Sequence, residues 1–191
     1  MTNWRWALAL VVLLSGCSGQ RPATTATAPG ASGNAPGADL TALRRQAALE
    51  PCPPGISTAL PDRSLACIGG GPAVRVKAAP GRAHLVNFYN TACGPCQDEF
   101  PVLRSYAATA GATPLLGVDA EDSPTAELAF LRDFKAHWPA VSDPQGELFR
   151  TFAGGWPVTV AVRADGSVAA SHTGPFRSVG QLQTFARVLQ R

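Results

Sequence analysis

The segment His84–Leu103, "HLVNFYNTACGPCQDEFPVL", constrains the fold more than any other stretch of the chain. Residues 84–90 are apolar, β-branched and aromatic, the pattern of a buried strand. After the cysteines, Phe100, Leu103, Ala107 and Ala110 recur at helical spacing. Cys93 and Cys96 are thus predicted at a strand-to-helix junction, with Cys93 near the helix N-terminus. Pro101 falls inside that helix and supplies no N–H, so a kink is expected.

The flanking segments extend the pattern. Pro114–Asp119, "PLLGVD", reads as a second strand. Ser123-Pro124 reads as a helix start, with serine as cap and proline in the first turn, and Leu128, Leu131 and Phe134 as the inner face. Val158–Arg163 is a third strand. Asp165-Gly166 then signals a tight turn into "SVAASHT", predicting an antiparallel hairpin. Ser178 is expected to cap a last helix with Leu182, Phe185 and Leu189 inward. On the N-terminal side a helix near Leu40–Leu49 and a hairpin around Gly69-Gly70-Gly71 add an extension. Strands alternating with helices and closing on a hairpin and a helix predict an α/β fold, a three-layer α/β/α sandwich with a central mixed sheet.

The first residues bear on the compartment. Arg5 precedes an apolar run, Ala7–Leu14, that is too short to span a bilayer as a mature helix. The run ends in "LSGC", which resembles the lipobox of bacterial lipoproteins, in which the cysteine is acylated and becomes the new N-terminus. The resemblance implies a signal peptide over residues 1–16 and lipidation at Cys17. The alternative is an ordinary signal peptide with an incidental cysteine. Residues 17–38 are rich in Ala, Thr, Pro, Gly and Ser and read as a flexible tether. The folded domain is then 39–191. The formal charge of +3 becomes +2 once Arg5 is removed, too small a bias to suggest a nucleic-acid partner.

Five cysteines leave four once Cys17 carries lipid. Four cysteines allow three pairings. Cys93 and Cys96 are close enough to pair through a small ring. That leaves Cys52 with Cys67, a structural bridge closing a loop of about 15 residues; two unrelated free thiols are the alternative. Zinc sites favour two close pairs, and Cys52 and Cys67 are not one. Haem attachment needs histidine after the second cysteine, where Gln97 stands. A copper site of the related chaperone type needs a wider cysteine spacing. The T-x-x-C pattern of peroxiredoxins is missed because Thr91 lies one residue too close. His84, His137 and His172 are scattered and read as surface or satisfied core side chains. No metal and no cofactor is expected.

"CGPC" after a strand, opening a helix with proline eight residues beyond the first cysteine, resembles thioredoxin. "VNFYN…CGPCQDEFPVL", with "GVDAED", "GGWPVT" and "ADGSV", resembles the TlpA/ResA branch of membrane-anchored thiol-disulfide oxidoreductases, from roughly Pro61 to the C-terminus. The "PCPPG…LACIGGG" prefix resembles actinobacterial lipoproteins of that branch. The resemblance implies a thioredoxin-like fold on the extracytoplasmic face of the cell membrane. It implies a cis peptide at Trp156-Pro157, whose backbone would pair with an extended substrate segment. It also places the branch's helical glutamate at Glu99. In cytoplasmic thioredoxins a buried aspartate on the preceding strand takes that part; Asn87 stands there instead. The branch's tryptophan before the first cysteine is Ala92 here, and Trp156 is expected to cover the dithiol in its place, packing in the core being the alternative.

Chemistry follows from these placements. A helix N-terminus stabilises a thiolate, so Cys93 is the expected nucleophile and Cys96 the resolving thiol. Glu99, three residues after Cys96, shares its helix face and would accept its proton if held against the core; a solvated surface glutamate is the alternative. Protein dithiols and disulfides are the expected substrates, and a monomer is expected. The Gly-Pro dipeptide of thioredoxin favours a reductase, fed by a membrane electron donor and preparing apocytochrome c for haem attachment. A disulfide-forming oxidase is the second reading. A thioredoxin-like metal- or partner-binding module without turnover is a third, of a different class.

Overall fold

The computed structural model describes residues 36–56, 60–76, 81–152 and 154–190. The predicted signal peptide and Cys17 lie outside the described residues. Four helices are present among them: α1 (Pro36–Ala47), α2 (Gly94–Ala107), α3 (Pro124–Asp133) and α4 (Val179–Ala186). The eight strands are β1 (Gly55–Ile56), β2 (Ser64–Cys67), β3 (Val74–Val76), β4 (His84–Tyr89), β5 (Leu115–Ala120), β6 (Ala140–Asp143), β7 (Val158–Val162) and β8 (Val168–Thr173). Helix α1 begins at Pro36, inside the stretch read as tether.

All eight strands form one mixed sheet in the order β1-β3-β2-β6-β5-β4-β7-β8. Strand β4 lies near its centre, parallel to β5 from Leu85↔Leu115 to Tyr89↔Asp119 and antiparallel to β7 from His84↔Val162 to Phe88↔Val158. Alternate residues of these strands point to opposite faces, so each face has its own core. On one face Leu85 and Tyr89 meet the inner faces of all four helices, including Ala47, Phe100, Leu103, Leu128, Leu131 and Leu182. On the other, Val86, Phe88, Val118 and Val160 are covered by Leu148, Phe149 and Phe152, from a single 3-10 turn at Phe149–Thr151 and its flanks. The fold is α/β with helices flanking a mixed sheet, as expected, and its second covering layer is thin.

The local signals operate as the chain suggests. Ser123 Oγ accepts from Ala126 N–H at 3.3 Å, with Pro124 in the first turn of α3. Ser178 Oγ accepts from Gln181 N–H at 3.3 Å. Gly166 turns the β7–β8 hairpin at φ 87°, with Asp165 Oδ1 accepting from Ser167 N–H at 2.9 Å. The hairpin expected around Gly69–Gly71 is β2–β3, in register Ser64↔Arg75 and Leu65↔Val74.

One expected helix face is corrected, one is extended, and one strand is new. The inner face of α2 continues from Phe100 and Leu103 to Tyr106; Ala107 is exposed and ends the helix, and Ala110 lies beyond it. Both 106 and 107 fit the helical period, and the larger apolar body of Tyr106 takes the buried place. Its hydroxyl accepts from Thr113 N–H at 3.0 Å. In α4 Leu182 is buried, and Phe185 and Leu189 pack against the same core while partly exposed, so the expected inner face holds; Ala186 adds a second buried residue, and Leu189 falls in the 3-10 turn that follows. Strand β6 has no counterpart in the reading of the sequence. It is four residues long and buried throughout, so it has no alternation to announce it.

Candidate active site

The two cysteines sit where β4 hands over to α2. The loop between them is held from three sides. Asn90 Nδ2 donates to Ala120 O at 2.8 Å, and Asn90 Oδ1 accepts from Ala92 N–H at 3.0 Å. Asp122 accepts from both Thr91 N–H (2.7 Å) and Thr91 Oγ1 (2.8 Å). Gln97 Nε2 reaches back from α2 to Thr91 O at 2.9 Å. The loop that presents Cys93 is thus tied to the end of β5 and to its own helix.

Cys93 is the N-cap of α2, and its sulfur accepts from Cys96 N–H at 3.1 Å. Such a donor and the unpaired amides of a helix start both favour a thiolate at that sulfur. Cys93 is half-buried and Cys96 fully buried, and the two are joined as a disulfide. Only the first sulfur can therefore meet a partner without opening the core. The second disulfide links Cys52 to Cys67, fifteen residues apart.

Glu99 lies one helical turn beyond Cys96, at 0% exposure, so it is not a solvated surface side chain. Asn87 Nδ2 donates to Glu99 Oε2 at 2.9 Å and Phe176 N–H to Oε1 at 3.0 Å. Burial pushes the carboxyl up to about 7, against the opposing pull of those two hydrogen bonds. A second buried acidic group underlies the active-site loop. Glu127, bonded to Ser142, is pushed up to about 7, chiefly by burial. Asp119 is pushed up to about 10 by burial and then by Asp122 and Glu127.

Buried acids of this kind make the fold less stable as pH rises. Each binds its proton more tightly folded than unfolded, so its contribution is complete below about pH 4.5 and is lost as pH climbs through the folded value near 7. For Glu99 the shift corresponds to about 3 kcal/mol between those limits. Denaturant unfolding of the oxidised protein is expected to show lower stability at pH 8 than at pH 5. Glu99→Gln and Glu127→Gln should each flatten that slope; parallel slopes in the variants would show that the buried acids are not its source.

The Trp156–Pro157 peptide is cis. Trp156 is half-buried and lies flat on Phe149, with ring centroids 3.4 Å apart and planes 8° apart. One face of the indole is therefore occupied by Phe149, which no reading of the sequence singled out. Asp122, Asn90, Thr159 and the Phe176 amide were likewise missed. "GVDAED" marked the neighbourhood of Asp122, but its partner is 31 residues away in sequence. Ala92 is exposed beside the dithiol.

Fold and dithiol together define a thioredoxin-like protein with a C-x-x-C pair at the start of the helix that follows a central strand. The chain belongs to the AhpC/TSA family, whose profile matches residues 56–171. It is similar to the thiol:disulfide interchange protein CycY of Rhizobium leguminosarum bv. viciae, at 30% identity over 110 residues, 56% of this chain and 59% of that protein. It is also similar to a thiol:disulfide interchange protein DsbE homolog of Paracoccus denitrificans, at 33% identity over 97 residues, 48% of this chain and 50% of that protein. The chain thus spans between 50% and 59% of the length of these curated relatives. Among solved structures, a secreted Mycobacterium tuberculosis disulfide oxidoreductase homologous to E. coli DsbE matches with a TM-score of 0.56 and 21% identity, over 68% of this chain and 96% of that one. That likeness is one of fold.

Proposed function

We propose that the protein is an extracytoplasmic thiol-disulfide oxidoreductase that exchanges disulfides with other proteins through Cys93 and Cys96. The observation that carries the reading is the dithiol at the start of α2 with a fully buried carboxyl, Glu99, one turn further along the same helix. In the reducing direction the Cys93 thiolate attacks a substrate disulfide, forming a mixed disulfide and releasing one substrate thiolate. Cys96 gives its proton to Glu99, and its thiolate attacks the Cys93 sulfur. The Cys93–Cys96 bond forms, and the second substrate sulfur leaves as a thiolate that takes a proton from water. The cis-proline loop at Trp156 and Pro157 is the surface on which the substrate segment lies. Cys52–Cys67 is structural in this reading.

The relatives are named as thiol:disulfide interchange proteins, which supports exchange with protein partners. The reductase direction, in apocytochrome c preparation with a membrane electron donor, is our reading of the Gly-Pro dipeptide and of the TlpA/ResA resemblance. Lipidation at Cys17 and the tether would keep the domain at the outer face of the cell membrane. Equilibration with glutathione is expected to give a potential near about −270 mV; a value near about −120 mV would favour the oxidase instead. Glu99→Gln is expected to slow resolution of the mixed disulfide while sparing the first attack by Cys93. An unchanged resolution rate from pH 6 to pH 8 would remove Glu99 from the mechanism.

A further inference from the structure

The proposed role of Glu99 sets a condition that the surrounding groups must meet. A carboxyl that takes up a proton while fully buried needs one set of hydrogen-bond partners when ionised and another when neutral, because an ionised carboxylate only accepts and a carboxylic acid must also donate. Its fixed partner is Phe176 N–H, a backbone donor at 3.0 Å from Oε1. That amide cannot accept, so the proton must be carried on Oε2. Facing Oε2 at 2.9 Å stands Asn87 Nδ2, also a donor. The arrangement is therefore built for the ionised state, and the neutral state would set one donor against another.

Asn87 carries the remedy in its own side chain. Its second amide hydrogen points to Thr159 Oγ1 at 2.9 Å, while its Oδ1 is buried without a partner. Turning the amide by half a turn exchanges the two ends. Oδ1 then faces both Glu99 Oε2 and Thr159 Oγ1. The Thr159 hydroxyl can rotate and donate as readily as it accepts. Each orientation leaves one end of the amide unpartnered, so the turn exchanges one cost for a similar one. Asn87 and Thr159 are 1% and 0% exposed, which makes water a poor substitute for either.

We propose that Asn87 is the positioning residue for Glu99, holding it through a side-chain amide that turns over when the carboxyl takes up a proton. The inference rests on the proposed role of Glu99 and adds the group that allows both of its protonation states to exist in the core. Neutrality matters here, since an acid at 87 would oppose ionisation of Glu99 and an apolar side chain would abandon it. The other titratable or charged groups around Glu99 do not supply the missing acceptor. Cys93 and Cys96 on α2 are joined to each other. Asp98 on α2 pairs with Arg177, from the β8–α4 loop, at the surface at 3.4 Å. His172 on β8 stacks on the Phe176 ring at 4.2 Å. On β4, His84 stands at the far end of the strand and the Tyr89 hydroxyl interacts electrostatically with Asp119 and Glu127; β7 carries no titratable side chain.

The test is nuclear magnetic resonance on the full chain in detergent micelles, oxidised, with labelled Asn side-chain amides, Glu carboxyls and Thr methyls. Above the titration of Glu99, the Asn87 amide protons should show a strong contact with the Thr159 methyl. Below it that contact should weaken several-fold, with the same midpoint as the Glu99 carboxyl carbon. Glu99→Gln should show the weakened contact at every pH, because the amide it introduces can present its N–H to Asn87 Oδ1 and its oxygen to Phe176 N–H. Asn87→Leu, which deletes the donor to the carboxylate, should move the Glu99 midpoint up by about one pH unit or more, and the pH midpoint of mixed-disulfide resolution with it. An Asn87–Thr159 contact that stays constant through the Glu99 titration and in Glu99→Gln would overturn the proposal, whether or not Asn87→Leu folds. If the contact switches with Glu99 but resolution shows no matching midpoint, the amide switch stands and it is the role of Glu99 in exchange that fails.

Discussion

Cys96→Ser is expected to leave Cys93 bound to its partner protein through a disulfide that survives purification under non-reducing conditions, while Cys93→Ser leaves none. The asymmetry follows from the two environments. Cys93 is half-buried at the helix cap, with an amide donor on its sulfur, and Cys96 is sealed in the core. A partner sulfur can approach only the first. Without Cys96 nothing attacks the mixed disulfide from within, so the intermediate accumulates. Turnover should fall to the level of buffer alone in both variants. The trapped species distinguishes them, and its identity reports the physiological substrate. A mixed disulfide that forms equally well on Cys96 in Cys93→Ser would reverse the assignment.

Removing the other bridge should act on stability and leave exchange in place. Cys52 follows α1 and Cys67 ends β2, so the bond ties the N-terminal extension to a strand that pairs with β6. Cys67 is 5% exposed and belongs to the second core, against which Cys52 also packs. Closing a loop of this length is worth about 3 kcal/mol by the chain-entropy estimate. For a domain of this size that is about 6–12 °C in Tm. Cys52→Ala combined with Cys67→Ala should therefore lower the thermal and denaturant midpoints by that order while dithiol exchange by Cys93 and Cys96 persists. An unchanged midpoint would show that the bridge is idle, and lost exchange in a folded variant would show that it belongs to the redox path.

What the sequence determined by itself is the part of the protein whose causes are local. The apolar run of β4, the dithiol after it and the proline-bearing helix that follows are contiguous, and so the placement of Cys93 at the start of a helix could be read directly. The serine caps at 123 and 178 and the Asp165-Gly166 turn act within a few residues of themselves and were equally legible. Glu99 could be named because it lies one turn from Cys96. Its burial could not, because the groups that bury and bond it come from β4, twelve residues before it, and from Phe176, 77 residues after it. The same holds for Asp122 gripping Thr91 and for Phe149 beneath Trp156. Strand β6 is the plainest case: four buried residues carry no periodicity, and only their place between β5 and β2 makes them a strand. Hydrogen bonds and packing across the sheet depend on which segments lie side by side, and that is decided when the whole chain closes around its core.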